Sequence, residues 1–297
     1  MKTKLYALLE VCLAFVCMHV GFRWFRRFTE LGQLEVQSGV NLSPGVFMIL
    51  TSALMIIFAG RSRSAMGTSG LIGAFGLPNR GFLFSIRPAA ICLVLLGLGG
   101  VVLWGFGFSP QSSKTSWSGV IVNSVLNLCV AMVLVWLLRL NSNTPSPRGR
   151  RLDKSLLTLF LLIAIAPTCW ALLNHAEIAP KLWTVFWVLI GSGFGEELFF
   201  RGYVQGRLNL VFHRRWSLWG TRFGPGLFLA AALFGAVHVL NSVDYFSGVY
   251  HFQWRHGLST MTTLYFGFLR EKTNSVLAPA LVHGFGNLGA RMSGMFA

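Results

Sequence analysis

The chain has 297 residues, of which 54% are hydrophobic and 11% charged, with a mean hydropathy of +0.62 and a net charge of +16. A soluble domain carries about a quarter charged residues, so this composition excludes that class and predicts a polytopic membrane protein.

In chain order, apolar stretches fall at about 5–22, 45–60, 88–108, 119–138, 155–173, 182–200, 225–241, 257–269 and 276–290. A perpendicular span needs ~20 apolar residues, and lipid leaves helices as the only open-bundle solution for backbone hydrogen bonding. The expectation is an all-α polytopic transmembrane bundle of about eight or nine spans. The first run follows Met1-Lys2-Thr3-Lys4 but continues into Val20-Gly21-Phe22-Arg23-Trp24 without a small-residue cleavage site, which predicts a retained helix. Turn-prone residues between Gly60 and Arg87 predict an irregular loop, and the polar, basic stretch Asn141–Arg151 predicts a flexible connector. That connector divides the chain into 1–154, N-terminal transmembrane helices with a basic cytoplasmic linker, and 155–297, a second helical core.

With the N-terminus inside, most basic residues fall on inner segments, among them Arg148, Arg150, Arg151 and Lys154. Their asymmetry reads as topology, positive charge held at the cytoplasmic face against anionic lipid. The expected location is therefore integral and multi-pass, in a bacterial-type cytoplasmic membrane, with lipid rather than nucleic acid as the partner. Cys12, Cys17, Cys92, Cys129 and Cys169 lie in apolar runs without metal-ligand spacing, and their odd number argues against a disulfide framework. Trp104, Trp117, Trp183 and Trp254 stand near span ends as an aromatic belt.

The chemistry lies beyond the connector. Glu196 and Glu197 interrupt an apolar run, where ionisable groups are costly and mark a functional site by default. A helix over about 182–210 sets Glu197 and Arg201 at i, i+4, within reach of an ion pair, and turns Glu196 about 100° away toward other helices. Phe234 and His238 share a face of the next apolar helix, as His283 and Asn287 do in the last. Counted from the inner helix ends, Glu196 lies roughly 21 Å deep, His238 roughly 20 Å, and Asn287 and His283 roughly 18 and 12 Å, so the four can meet. His19, near an interface, and His175, His213, His251 and His256, in loops, read as solvated.

These residues resemble the CPBP group of intramembrane proteases, also called CAAX-prenyl or Abi-type proteases. The group's pattern is Glu-Glu-x-x-x-Arg, Phe-x-x-x-His and His-x-x-x-Asn or Asp. Here it reads Glu196-Glu197 with Arg201, Phe234 with His238, and His283 with Asn287, over about 182–291. The resemblance implies an intramembrane endopeptidase acting on a membrane-anchored or single-span protein, with CAAX-type C-terminal processing as one form. Glu196 would activate a water, His238 and His283 would hold that water or a metal, Asn287 would polarise the carbonyl, and Glu197 with Arg201 would set the geometry. The mechanism is either glutamic and metal-free or metallo-type, with Glu196, His238 and His283 around a divalent ion such as zinc. The alternatives are a proton-coupled transporter using the same polar residues, and a catalytically silent membrane scaffold or immunity protein.

Overall fold

The computed structural model describes residues 2–37, 43–61, 82–108, 112–139, 185 and 187–293. The described part is mostly helical. Helix α1 spans Lys2–Phe28, α2 Glu30–Gln37, α3 Ser43–Arg61, α4 Phe82–Gly105, α5 Ser112–Thr115 and α6 Trp117–Arg139. A continuous helix α7 follows, built of π turns at Trp187–Gly195, an α step at Glu196 and Glu197, π turns at Leu198–Val204 and an α segment Gln205–Phe212. The chain then forms strands β1 (Trp216–Leu218) and β2 (Thr221–Phe223), α8 (Pro225–Val239), β3 (Ser242–Asp244), β4 (Val249–His251), α9 (Trp254–Met261), α10 (Leu264–Thr273) and α11 (Leu277–Ser293).

Among the described residues, three helices are long and apolar enough to cross a membrane: Thr3–Phe28, Ser85–Gly105 and Trp117–Arg139. Ser43–Phe58 and Pro225–Val239 are shorter apolar helices. The eighth expected span, about 257–269, is instead two short helices broken at Thr262 and Thr263, whose hydroxyls bond back to the Ser259 and Thr260 carbonyls. Such local side-chain bonds compete with the helical ladder. The fifth stretch, about 155–173, and the connector that separates 1–154 from 155–297 lie outside the described residues. Helix α4 begins at Phe82, so the last residues of the expected Gly60–Arg87 loop are helical.

The expectation of helices alone is also corrected by two antiparallel hairpins, β1–β2 and β3–β4, placed between helices rather than within a span. The first turns at Trp219 and Gly220, with φ of 45° and 77°, the doubly left-handed geometry that suits a two-residue hairpin loop. In the second, Asp244 accepts hydrogen bonds from the Phe246 and Ser247 N–H groups. With the Ser247 hydroxyl, these bonds hold its carboxyl below the usual carboxylate range.

The hairpins mark opposite faces of the bundle. At the β1–β2 face the α1 and α7 ends meet: Lys4 lies over the Phe212 ring, and Glu10 pairs with Arg207 at 2.6 Å. At the β3–β4 face Arg23, near the other end of α1, donates to the Leu240 and Asn241 carbonyls, and His19 bonds Tyr245. Thus α1, α4, α8 and α11 run from the first face to the second, and α3, α6 and α7 run back.

Lipid tails give helices no hydrophobic reason to associate, so close packing must supply it. Small residues do so around α7. A Cβ on Gly45 of α3 would lie 2.6 Å from the Gly191 Cα, and one on Gly193 would lie 2.8 Å from the Gly284 Cα of α11. These approaches seat α3 and α11 against the π-helical half of α7. Near the β1–β2 face a buried polar cluster closes the bundle, with Glu271 of α10 accepting from Gln205 and Asn209 at 2.6 Å each and pairing with Arg214.

Candidate active site

The two carboxylates sit on the α step between the π stretches of α7. A π turn widens a helix locally, and such turns recur at functional sites. Glu197 is fully buried, and its Oε2 lies 3.3 Å from the Arg201 Nε, as the i, i+4 spacing predicts. Its other oxygen accepts from His283 Nδ1 at 2.9 Å, a partner that the spacing did not identify. The Arg201 guanidinium lies 4.3 Å from the Phe234 ring centre and 5.2 Å from that of Phe266, so aromatic faces share in stabilising its charge. Breaking a buried pair by removing one partner costs about 3–5 kcal/mol, because the other charge is left without compensation.

Glu196 leaves the helix on another side and keeps 18% of its side chain exposed. Its Oε2 lies 3.8 Å from His283 Nε2 and has no hydrogen-bond partner. That separation is too long for a direct bond and within the span of one bridging water. Ser192, one turn earlier, bonds Glu196 and accepts from the Asn287 amide at 2.9 Å, which joins α7 to α11 a second time.

The two site histidines carry matched tautomers in their neutral forms. His283 Nδ1 faces a carboxylate that is paired with arginine, and His238 Nδ1 faces the Phe234 carbonyl at 2.8 Å. Both neighbours only accept, so each Nδ1 bears the hydrogen and each Nε2 keeps its lone pair. Phe234 packs edge-on against both rings, with centroids 4.8 Å from His238 and 5.5 Å from His283. Phe266 stacks on His283 from the other side at 5.1 Å.

The structure thus joins Glu197, Arg201 and His283 directly, brings Glu196 to His283, and ties Asn287 in through Ser192. His238 enters through Phe234. Among the described residues no group of three His, Cys, Asp or Glu side chains is arranged to hold a metal ion. Glu196 and His283 approach each other and His238 meets His283 across the Phe234 ring, so the three are not arranged as a metal-binding set.

Two residues read as solvated belong to the interior instead. His256 is half-buried with its ring edge-on to His238 at 4.8 Å, and burial, with Lys114 nearby, pushes its pKa down to about 4. His19 is buried against Phe15, Phe22 and Tyr245. Ser192 and His256 gave no signal in the sequence beyond lying one helical turn before Glu196 and inside a weakly apolar stretch.

Residues 178–289 match the family model for "Type II CAAX prenyl endopeptidase Rce1-like", little more than a third of the chain. Neither a comparison with curated proteins nor one with solved structures finds a match. The matched segment contains all three motifs and the helices that carry them, and with the long apolar helices it makes this an integral membrane protein. The match over 178–289 thus supports the CPBP group, the family of the CAAX-type proteases, for that region.

Proposed function

We propose that the chain is an intramembrane endopeptidase that hydrolyses a peptide bond of a membrane-anchored protein with a water activated by Glu196. The observation that carries this reading is the partnerless Glu196 Oε2 set 3.8 Å from the lone-pair nitrogen of His283, on a side chain that keeps 18% exposure beside the buried Glu197–Arg201 pair. A water between them gives one proton toward Glu196 and directs its oxygen at the substrate carbonyl carbon. The new C–O bond forms as the carbonyl oxygen takes the negative charge, and Asn287, held by Ser192, has a second amide N–H to donate to that oxyanion. Glu196 then passes its proton to the amide nitrogen, the C–N bond breaks, and acid and amine depart.

Glu197 and Arg201 have a positioning role. Their pair fixes the His283 tautomer and orientation, and the Phe234 carbonyl fixes that of His238, whose Nε2 is left to accept from the substrate. A low-dielectric surrounding strengthens each of these interactions. CAAX-type C-terminal processing of a prenylated substrate is the activity that the matched family's name carries, and it is one form of this proposal.

The same carboxylate and imidazole would be the donors for a divalent metal such as zinc in a metallo-type variant, with His238 as the third ligand after a rearrangement around Phe234. The test is cleavage of a lipid-anchored peptide library by purified wild type, Glu196→Gln and His283→Ala, with and without chelator. Loss of product in both variants and indifference to chelator is the expected result. Full activity in Glu196→Gln would overturn the reading, and chelator sensitivity would replace the metal-free form with the metal-dependent one.

A further inference from the structure

The two faces of the bundle differ in charge and in access to the site, and together these differences select a substrate class. At the β1–β2 face, Lys4, Arg207, Arg214, Arg215, Arg222 and Lys272 gather. Helix α6 ends at that face with Arg139. The basic residues described at the β3–β4 face are fewer, and some on each face are engaged, as Arg207 and Arg214 are by carboxylates at the first. Arg23 donates to backbone carbonyls, Arg255 donates to the Thr115 carbonyl at 2.6 Å, and Arg26 lies 3.9 Å from Glu35. Lysine and arginine bias toward one side marks that side as cytoplasmic.

The site is graded along the same axis. Toward the β1–β2 face, Glu197, Arg201, Tyr203, Gln205 and Arg270 are all 0–1% exposed, and Arg270 donates to the Arg201 carbonyl at 3.2 Å, which leaves no polar opening among these residues. Toward the β3–β4 face, Ser192, Glu196, His238 and Asn287 all keep some exposure. His238 is the penultimate residue of α8 at that face, and Glu196 lies 16 residues before Phe212, the end of α7 at the basic face.

Resting on the protease reading above, we infer that the catalytic cleft opens to the non-cytoplasmic side. Its substrates are membrane-anchored proteins whose scissile bond lies at the outer side of the bilayer, not prenylated cysteine termini presented in the cytoplasm.

The experiment is labelling of the full chain in intact cells with a membrane-impermeant maleimide. The native cysteines other than buried Cys92 are replaced by alanine, and single cysteines are introduced as Ser247→Cys, Ser217→Cys and Ser192→Cys. The expected result is labelling of Ser247→Cys and Ser192→Cys in intact cells, and of Ser217→Cys only after permeabilisation. Labelling of Ser217→Cys in intact cells, or of Ser192→Cys only after permeabilisation or not at all, would overturn the inference. An epitope inserted at the Trp219–Gly220 turn or between Ser247 and Gly248 of the native-cysteine chain, probed with external protease, gives the same answer where the cysteine-depleted chain fails to fold. Labelling reads orientation and access without catalysis. With activity read on the native-cysteine chain, an active enzyme with reversed labelling sinks this inference alone, and an inactive one with the expected pattern sinks the protease reading alone.

Discussion

Helices α1, α4 and α6 differ from α7, α8 and α11 in nearly every respect that matters to a membrane segment. The first three are long and mostly apolar, and much of their surface is large exposed side chains such as Leu9, Leu98, Val101 and Ile121. The second three are shorter or irregular, with π turns in α7, a histidine at the end of α8, and glycine contacts between α7 and α11. A segment that only has to cross lipid needs length and apolar surface. One that carries ionisable groups needs neighbours close enough to saturate them, and it gives up regularity and side-chain bulk to obtain them.

If that contrast holds, substitutions in the second set should disturb far more than their number suggests. The largest effect should come from Arg201→Met, which leaves Glu197 buried and unpaired and should cost about 3–5 kcal/mol of stability, read as a fall in melting temperature in detergent. Next, Asn287→Ala should keep the fold and lose roughly 10²–10³ in kcat, the scale of a missing oxyanion donor. Unchanged turnover would remove Asn287 from the chemistry. Gly193→Ala should follow, with about a tenfold loss of activity, because its Cβ would press on the Gly284 backbone and push α11 away; each 1.4 kcal/mol of misplacement is a factor of ten. Gly286→Ala, on the same helix pair with open space around it, should be silent. The smallest effect should be Glu10→Gln, which loosens α1 from α7 by about 1 kcal/mol and leaves turnover unchanged.

The sequence discloses the long helices and the motif residues for one physical reason: both are carried by local spacing. Glu197 and Arg201 pair at i, i+4, and Phe234 meets His238 at the same interval, as helical geometry requires. What spacing cannot show is who stands opposite. The Glu197–His283 bond joins residues 86 apart, and the Ser192–Asn287 bond joins residues 95 apart. His256 reads as a loop residue because its stretch is only weakly apolar, yet α9 folds it against His238. The break at Thr262 and Thr263 was hidden by apolar neighbours that suggested a single span, and the two hairpins by connecting segments too short for hydropathy to resolve. The π turns of α7 also leave no trace in composition.

Two adjacent glutamates with separate tasks are the centre of this account, and comparing Glu196→Gln with Glu197→Gln tests it most directly, with turnover on a membrane-anchored peptide and melting temperature measured on the same preparations. Glu196→Gln should melt with the wild type and lose at least a hundredfold in turnover, as removal of a general base does. Glu197→Gln should melt well below the wild type, because Arg201 is then buried without its partner. A Glu196→Gln protein that keeps its turnover, or a Glu197→Gln protein that keeps its melting temperature, would contradict the division of labour between them.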